Sequence, residues 1–184
     1  MKFSRIAMTT ALSAGILTAG VFGSMPAQAT EGSQPVEAHA QAHPQASAQS
    51  VSDLSAEQVA NVKTIIKVGK DNKIPKQGVK IALMTAQQES TLRNLDYGDR
   101  DSLGLFQQRP STGWGTPQQI QDPVYASESF YGVNKDGSNP GLLQVKGWES
   151  MDPAAAAQAV QKSAYPSAYA QWEGLADELL TQYY

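Results

Sequence analysis

Cysteine is absent from the 184 residues, which excludes disulfides, thiolate zinc sites and a cysteine nucleophile while saying nothing against an oxidising compartment. Histidine is nearly absent: His39 and His43 are the only two. They stand four apart in a low-complexity tract with no third ligand beside them, so neither a metal site nor a cofactor is expected. The rest of the chain holds neither His nor Cys and therefore cannot run a Ser-His-Asp or Cys-His mechanism; carboxylates must do any acid–base work. Acidic residues are missing before position 30, whereas Lys2 and Arg5 lie there, so the remainder carries twelve cations against seventeen acids, a net −5. That balance argues against a nucleic-acid partner. Long apolar runs are scarce too. The uncharged stretch from Ile6 to Phe22 is diluted by Thr9, Thr10, Ser13, Gly15, Thr18 and Gly20 and is short for a spanning helix.

What is present fits one globular domain behind two accessory segments. Lys2 and Arg5, the uncharged stretch and Ala27-Gln28-Ala29 read as a secretory signal peptide over residues 1–29, with an uncleaved membrane anchor as the alternative. Cleavage there predicts a soluble, secreted product without stable membrane insertion. Residues 30–50 are almost entirely Ala, Gln, Ser, Pro, His and Glu, with Val36 as the one large aliphatic residue, and read as a flexible linker. Residues 51–184 are left as the folded domain, at 41% hydrophobic and 17% charged composition for the whole chain, and a monomer is expected.

The domain reads as all-α. Ser55 with Gln58 forms a capping box, Leu54 and Val59 occupy staple positions, and Val59, Val62, Ile66 and Gly69 share one face. Asn72-Lys73-Ile74-Pro75 ends that helix and starts another, whose stretch from Val79 to Ala86 has only Lys80 and Thr85 as polar residues, the pattern of a central helix. Thr116-Pro117 with Gln119, and Asp122-Pro123, predict two short helices. Residues 134–141 are a loop by composition. Asp152-Pro153 opens an alanine-rich helix to about Ser163, and a last helix starts at Pro166 with Tyr169, Trp172, Leu175 and Leu179 inward. The segment 94–108 allows one small β-hairpin, with Tyr97-Gly98-Asp99 as its turn.

Glu89 is the residue with the clearest chemical potential. Val79, Ala82, Leu83 and Ala86 form a stripe at helical spacing, and Glu89 falls beside that stripe at the helix end. A carboxylate at the margin of a core loses hydration in its charged form, which favours the protonated state that a general acid needs. A helix-end glutamate bonded to Ser90, Thr91 or Arg93 is the other reading of the same pattern.

Gln88-Glu89-Ser90, followed fifteen residues after Glu89 by Gly104-Leu105-Phe106-Gln107, resembles the Glu-Ser and Gly-Leu-Met-Gln blocks of soluble lytic transglycosylases, members of the lysozyme-like superfamily. Asp122-Pro123-Val124-Tyr125-Ala126 is similar to that family's Asp-Pro block, and the resemblance spans about residues 55–175, nearest to small secreted bacterial lysozyme-like domains. Phe106 stands where Met is usual, and Ser163-Ala164-Tyr165-Pro166 lies near the place of a late Ala-Tyr-Asn block that the chain lacks. The resemblance implies cleavage of the β-1,4 bond between N-acetylmuramic acid and N-acetylglucosamine in peptidoglycan glycan strands. Glu89 would protonate the glycosidic oxygen and then, as base, take the muramyl C6 hydroxyl proton as a 1,6-anhydro ring closes. Two alternatives stay open. A muramidase hydrolase would need a second carboxylate, for which Asp96, Asp99 and Asp101 are nearest in sequence, and a non-catalytic cell-wall glycan-binding module would need none.

Substrate-binding candidates follow from both lines. Ser90 either orients Glu89 or ends its helix. Gln107 resembles the family's cleft glutamine, and Gly104 serves either a close ligand approach or a turn with positive φ. Trp114 and Trp148 sit beside glycines between helices, where an indole face can stack on a pyranose or close a core. Tyr125 and Tyr165 lie near helix starts, Tyr165 close to where the family's late cleft tyrosine would fall. Finally, Lys63, Lys67, Lys70, Lys73, Lys76 and Lys80 gather positive charge on an acidic chain, either a docking face for a charged wall polymer or a solvated helix face.

Overall fold

The computed structural model describes residues 50–163 and 166–184. Residues 1–29, read as a signal peptide, all of the segment read as a linker except Ser50, and Tyr165 lie outside the described residues.

The domain is all-α, as its periodicity predicts. Helix α1 spans Ala56–Asp71 and α2 spans Lys76–Ser90. Two short helices, α3 (Pro117–Ile120) and α4 (Pro123–Tyr131), precede α5 (Pro153–Gln161) and α6 (Glu173–Tyr183). Four of the starts, those of α1, α3, α4 and α5, are capped by side chains. Ser55 Oγ accepts from Gln58 N at 3.2 Å while Gln58 Oε1 accepts from Ser55 N at 2.8 Å, and Thr116 with Gln119 repeats this box at α3. Asp122 and Asp152 cap α4 and α5 through their carboxylates, with proline at the first helical position.

Helix α2 is the centre of the domain, in contact with α1, α4, α5, α6 and the 3-10 segment Pro166–Trp172. From Val79 to Ala86 every residue except Lys80 is buried. Encirclement by five elements is what its almost uninterrupted apolar sequence requires.

Two expectations need correction. The hairpin over 94–108 reduces to a single antiparallel bridge between Leu103 and Gln108, and the reversal lies at 104–107 rather than at Tyr97-Gly98-Asp99. The cause is local: the next hydrogen-bonded pair outward would join Asp101 to Pro110, which has no N–H to give, while within the reversal Gly104 N–H donates to the Leu95 carbonyl at 2.7 Å. The last helix is also broken, since Pro166–Trp172 is 3-10 and regular α-helix begins at Glu173. Its inward set holds nonetheless: Tyr169, Trp172, Leu175 and Leu179 are all buried.

The lysines fasten the C-terminal helix. Lys80 Nζ binds Glu173 at 2.8 Å and Asp177 at 2.9 Å. Burial pulls its pKa down, but those two carboxylates more than offset it and the net shift is upward. Lys70 and Lys76 stand over the Tyr184 ring at 4.5 and 5.1 Å, Lys63 over Tyr183 at 5.4 Å, and Lys67 pairs with Asp71. Most of that charge is therefore engaged within the domain. Among the described residues no helix is long and apolar enough to cross a membrane.

Candidate active site

Glu89 is half-buried in the last turn of α2, and three segments converge on that turn. The first is the helix exit. Thr91 and Leu92 both adopt left-handed backbone, at φ 52° and 58°, which is uncommon for a threonine and costly for a buried leucine. The buried amides of Gln58 and Asn61 on α1 hold this reversal, donating to the Thr91 and Leu92 carbonyls at 2.7 and 2.8 Å. The sequence marks Gln58 only as the partner of Ser55 in a capping box, and Asn61 is there one polar residue on a helix face.

The second segment is the loop 104–109. Ser90 is buried, and its Oγ lies 2.8 Å from the Leu105 carbonyl and 3.0 Å from that of Ala86, so the hydroxyl ties the loop to the end of α2. Phe106 stacks on Phe130 with ring centroids 4.7 Å apart, and its carbonyl accepts from Gln161 Nε2 at 2.8 Å, which binds the loop to α5 as well.

The third segment is Pro166–Trp172. The Tyr169 hydroxyl donates to Glu89 Oε1 at 2.6 Å, and Trp172 Nε1 donates to Gln88 Oε1 at 2.7 Å. Adjacent α2 side chains thus grip the same 3-10 segment. Burial, then the charge of Glu89, then the hydrogen bond to it hold the Tyr169 phenol above its usual range, against an opposing bond with the Ser163 side chain. Tyr169 therefore keeps its proton around neutral pH and donates it in a hydrogen bond to Glu89.

A cleft of about 410 Å³ is bordered by Gln107 and Arg109 of the second segment and by Val160, Gln161 and Lys162 at the end of α5; Glu89 and Tyr169 are not among the residues that line it. Its borders connect to the Glu89 cluster through short stretches of chain. Gln107 lies two residues from the Leu105 carbonyl that meets Ser90, and Lys162 is next to Ser163, which bonds Tyr169. Trp114 and Pro140 stand in the same cleft.

The other candidates separate clearly. Gln107 borders the cleft, but its Nε2 donates to the Tyr97 and Gly104 carbonyls, both at 3.2 Å, so its amide N–H groups fasten the loop. Gly104 is buried with φ 75°, and a Cβ there would stand 2.5 Å from the Ile120 carbonyl oxygen, so it serves a turn and a close approach of backbone to backbone. Trp148 is a core residue, 5% exposed, and its ring packs over Gly78. Gly78 lies eleven residues before Glu89, or about 16 Å along the helix, so Trp148 is remote from Glu89. Trp114 is half-buried and on the cleft, and Tyr125 leans on its neighbour Gly115, where a Cβ would come within 2.8 Å of the Tyr125 hydroxyl.

Among the three aspartates, Asp101 is committed elsewhere. It accepts from Ser111 N at 2.8 Å and Arg109 Nε at 2.7 Å, and bonds from Ser111, then from Arg109, hold its carboxyl well below the usual carboxylate range. Asp96 and Asp99 are exposed on the loop. Among the described residues no cluster of three His, Cys, Asp or Glu side chains could hold a metal ion.

Compared with protein-family models and with curated proteins, the chain matches none.

Proposed function

We propose that the chain is a secreted lysozyme-like peptidoglycan lytic transglycosylase with Glu89 as its only catalytic carboxylate. One observation carries this reading: a half-buried glutamate at the end of the central helix accepts a 2.6 Å hydrogen bond from a buried tyrosine. The all-α architecture and the loop pinned to the helix end by Ser90 are consistent with the lysozyme-like arrangement that the sequence blocks resemble.

The chemistry needs one proton that leaves and returns. With the Tyr169 hydroxyl held at its Oε1, a neutral Glu89 gives its proton to the glycosidic oxygen as the bond to the muramyl C1 breaks. The carboxylate left behind bonds Tyr169 more strongly than the acid did, so the tyrosine stabilises charge as it develops. Glu89 then takes the proton of the C6 hydroxyl while that oxygen closes on C1. The products are a 1,6-anhydromuramyl end and a free 4-hydroxyl on N-acetylglucosamine; no water is consumed.

A hydrolase would usually need a second carboxylate at the opposite face of the sugar. The engagement of Asp101 with Arg109 and Ser111 disfavours it for that part. Digestion of isolated peptidoglycan in heavy-oxygen water separates the two reactions: anhydromuramyl ends without label support the proposal, and labelled reducing ends contradict it.

A further inference from the structure

Gln88 stands half-buried beside Glu89 in the last turn of α2 and has no part of its own in the proton transfer proposed there. Its Oε1 accepts from two neighbours, Trp172 Nε1 at 2.7 Å and Gln171 Nε2 at 3.1 Å, and Gln171 Nε2 also donates to the Ala168 carbonyl at 2.8 Å. Residues 168, 171 and 172 bracket Tyr169. In a 3-10 helix residues three apart eclipse, so Tyr169 and Trp172 lie in one row, and that row meets α2 at two adjacent side chains: the hydroxyl at Glu89, the indole N–H at Gln88.

We propose that Gln88 is a positioning residue for the transfer at Glu89: by holding Trp172 and Gln171, its amide oxygen sets the place of the Tyr169 hydroxyl against the carboxylate. The inference rests on the reading of Glu89 as acid and base. Two features separate this role from merely joining helices. Lys80 already ties α2 to the start of α6 through Glu173 and Asp177, so these elements stay together without Gln88. The 3-10 stretch is seven residues long, beyond the about three or four that such a helix usually sustains, so side-chain anchors fix where it sits. Placement is what matters for the chemistry. A hydrogen bond weakens steeply as its geometry is lost, so a small displacement of the ring removes most of what Tyr169 contributes.

Substitution in the full chain tests this. Gln88→Met keeps the length of the side chain and removes the acceptor, whereas Gln88→Glu keeps an acceptor in place. On solubilised glycan strands Gln88→Met should lower kcat about fivefold to tenfold at nearly constant KM, approaching the loss that Tyr169→Phe itself produces. In the Tyr169→Phe background the same change should alter kcat by less than about twofold, because the residue it acts through is gone. A second readout needs no catalysis. The Tyr169 hydroxyl proton, buried and held 2.6 Å from Glu89, should give a downfield, slowly exchanging proton resonance in the parent, assigned by its absence from Tyr169→Phe. Gln88→Met should shift it upfield or abolish it, and Gln88→Glu should keep it. Equal losses of kcat in both backgrounds, a resonance unmoved by Gln88→Met, or its absence from the parent overturns the inference and leaves Gln88 as the partner that a buried indole N–H requires. A protein that cuts no glycan, but whose hydroxyl resonance depends on Gln88, keeps the positioning role and loses the proposed reaction.

Discussion

The Tyr169 hydroxyl and Glu89 Oε1 lie 2.6 Å apart although 80 positions separate them in the chain. The bond joins the end of the central helix to the 3-10 segment before α6, and the second bond from Trp172 to Gln88 makes that joint double.

Replacing Tyr169 with Phe removes the donor and keeps the ring. A hydrogen bond to a charged group contributes about 1.5–3 kcal/mol, so kcat should fall about tenfold or more while KM changes little. Steady-state kinetics on solubilised glycan strands measure the split; a rise in KM at constant kcat would show instead that the tyrosine binds substrate.

The helix exit should be sensitive to its amides. Asn61→Ala leaves the Leu92 carbonyl without its partner and releases two left-handed residues, at a cost of about 1–3 kcal/mol, read from urea denaturation. An unchanged midpoint would mean that the reversal holds itself.

Gly104→Ala should destabilise by more than about 1 kcal/mol, since the added methyl meets a backbone oxygen at 2.5 Å and the residue has φ 75°. A thermal melt reads the loss. A ligand-facing glycine would lose binding with no drop in melting temperature.

Asp101→Asn bears on the hydrolase alternative and on pH. The folded state holds this carboxyl below its unfolded value near 3.8, so its contribution is present above that value and is lost as pH falls below it. The variant should be less stable than the parent at neutral pH, with the gap closing as denaturation is repeated below about pH 4. Cleavage should persist in Asp101→Asn; its abolition in a folded protein would mark Asp101 as the second carboxylate.

The helices and their starts were legible because their causes are local. Ser55 with Gln58, Thr116 with Gln119, Asp122-Pro123 and Asp152-Pro153 each carry a cap within four residues, and the burial of α2 follows from its own composition. Glu89 was legible as a helix-end carboxylate beside an apolar stripe. Its partner was not. Tyr169 stands in the inward stripe of the last helical stretch, where periodicity marks it as core, and a core tyrosine is indistinguishable there from one whose hydroxyl reaches a glutamate. Trp148 shows the converse: a glycine beside it suggested an open platform, whereas the glycine that matters is Gly78, seventy positions away, whose missing side chain leaves room for the indole. Gln107 was placed at the cleft by motif, but its positive φ of 46° and the two carbonyls it meets are properties of the folded loop.

The central claim is that Glu89 alone supplies and recovers the proton. Its most direct test is mass spectrometry of sugar products after the purified protein, and separately its Glu89→Gln variant, digests isolated peptidoglycan. The account predicts anhydromuramyl ends from the parent and a loss of at least about a hundredfold in their formation by a variant that keeps the parent's circular dichroism. Equal product from both proteins, or muramic reducing ends as the main product, would contradict it.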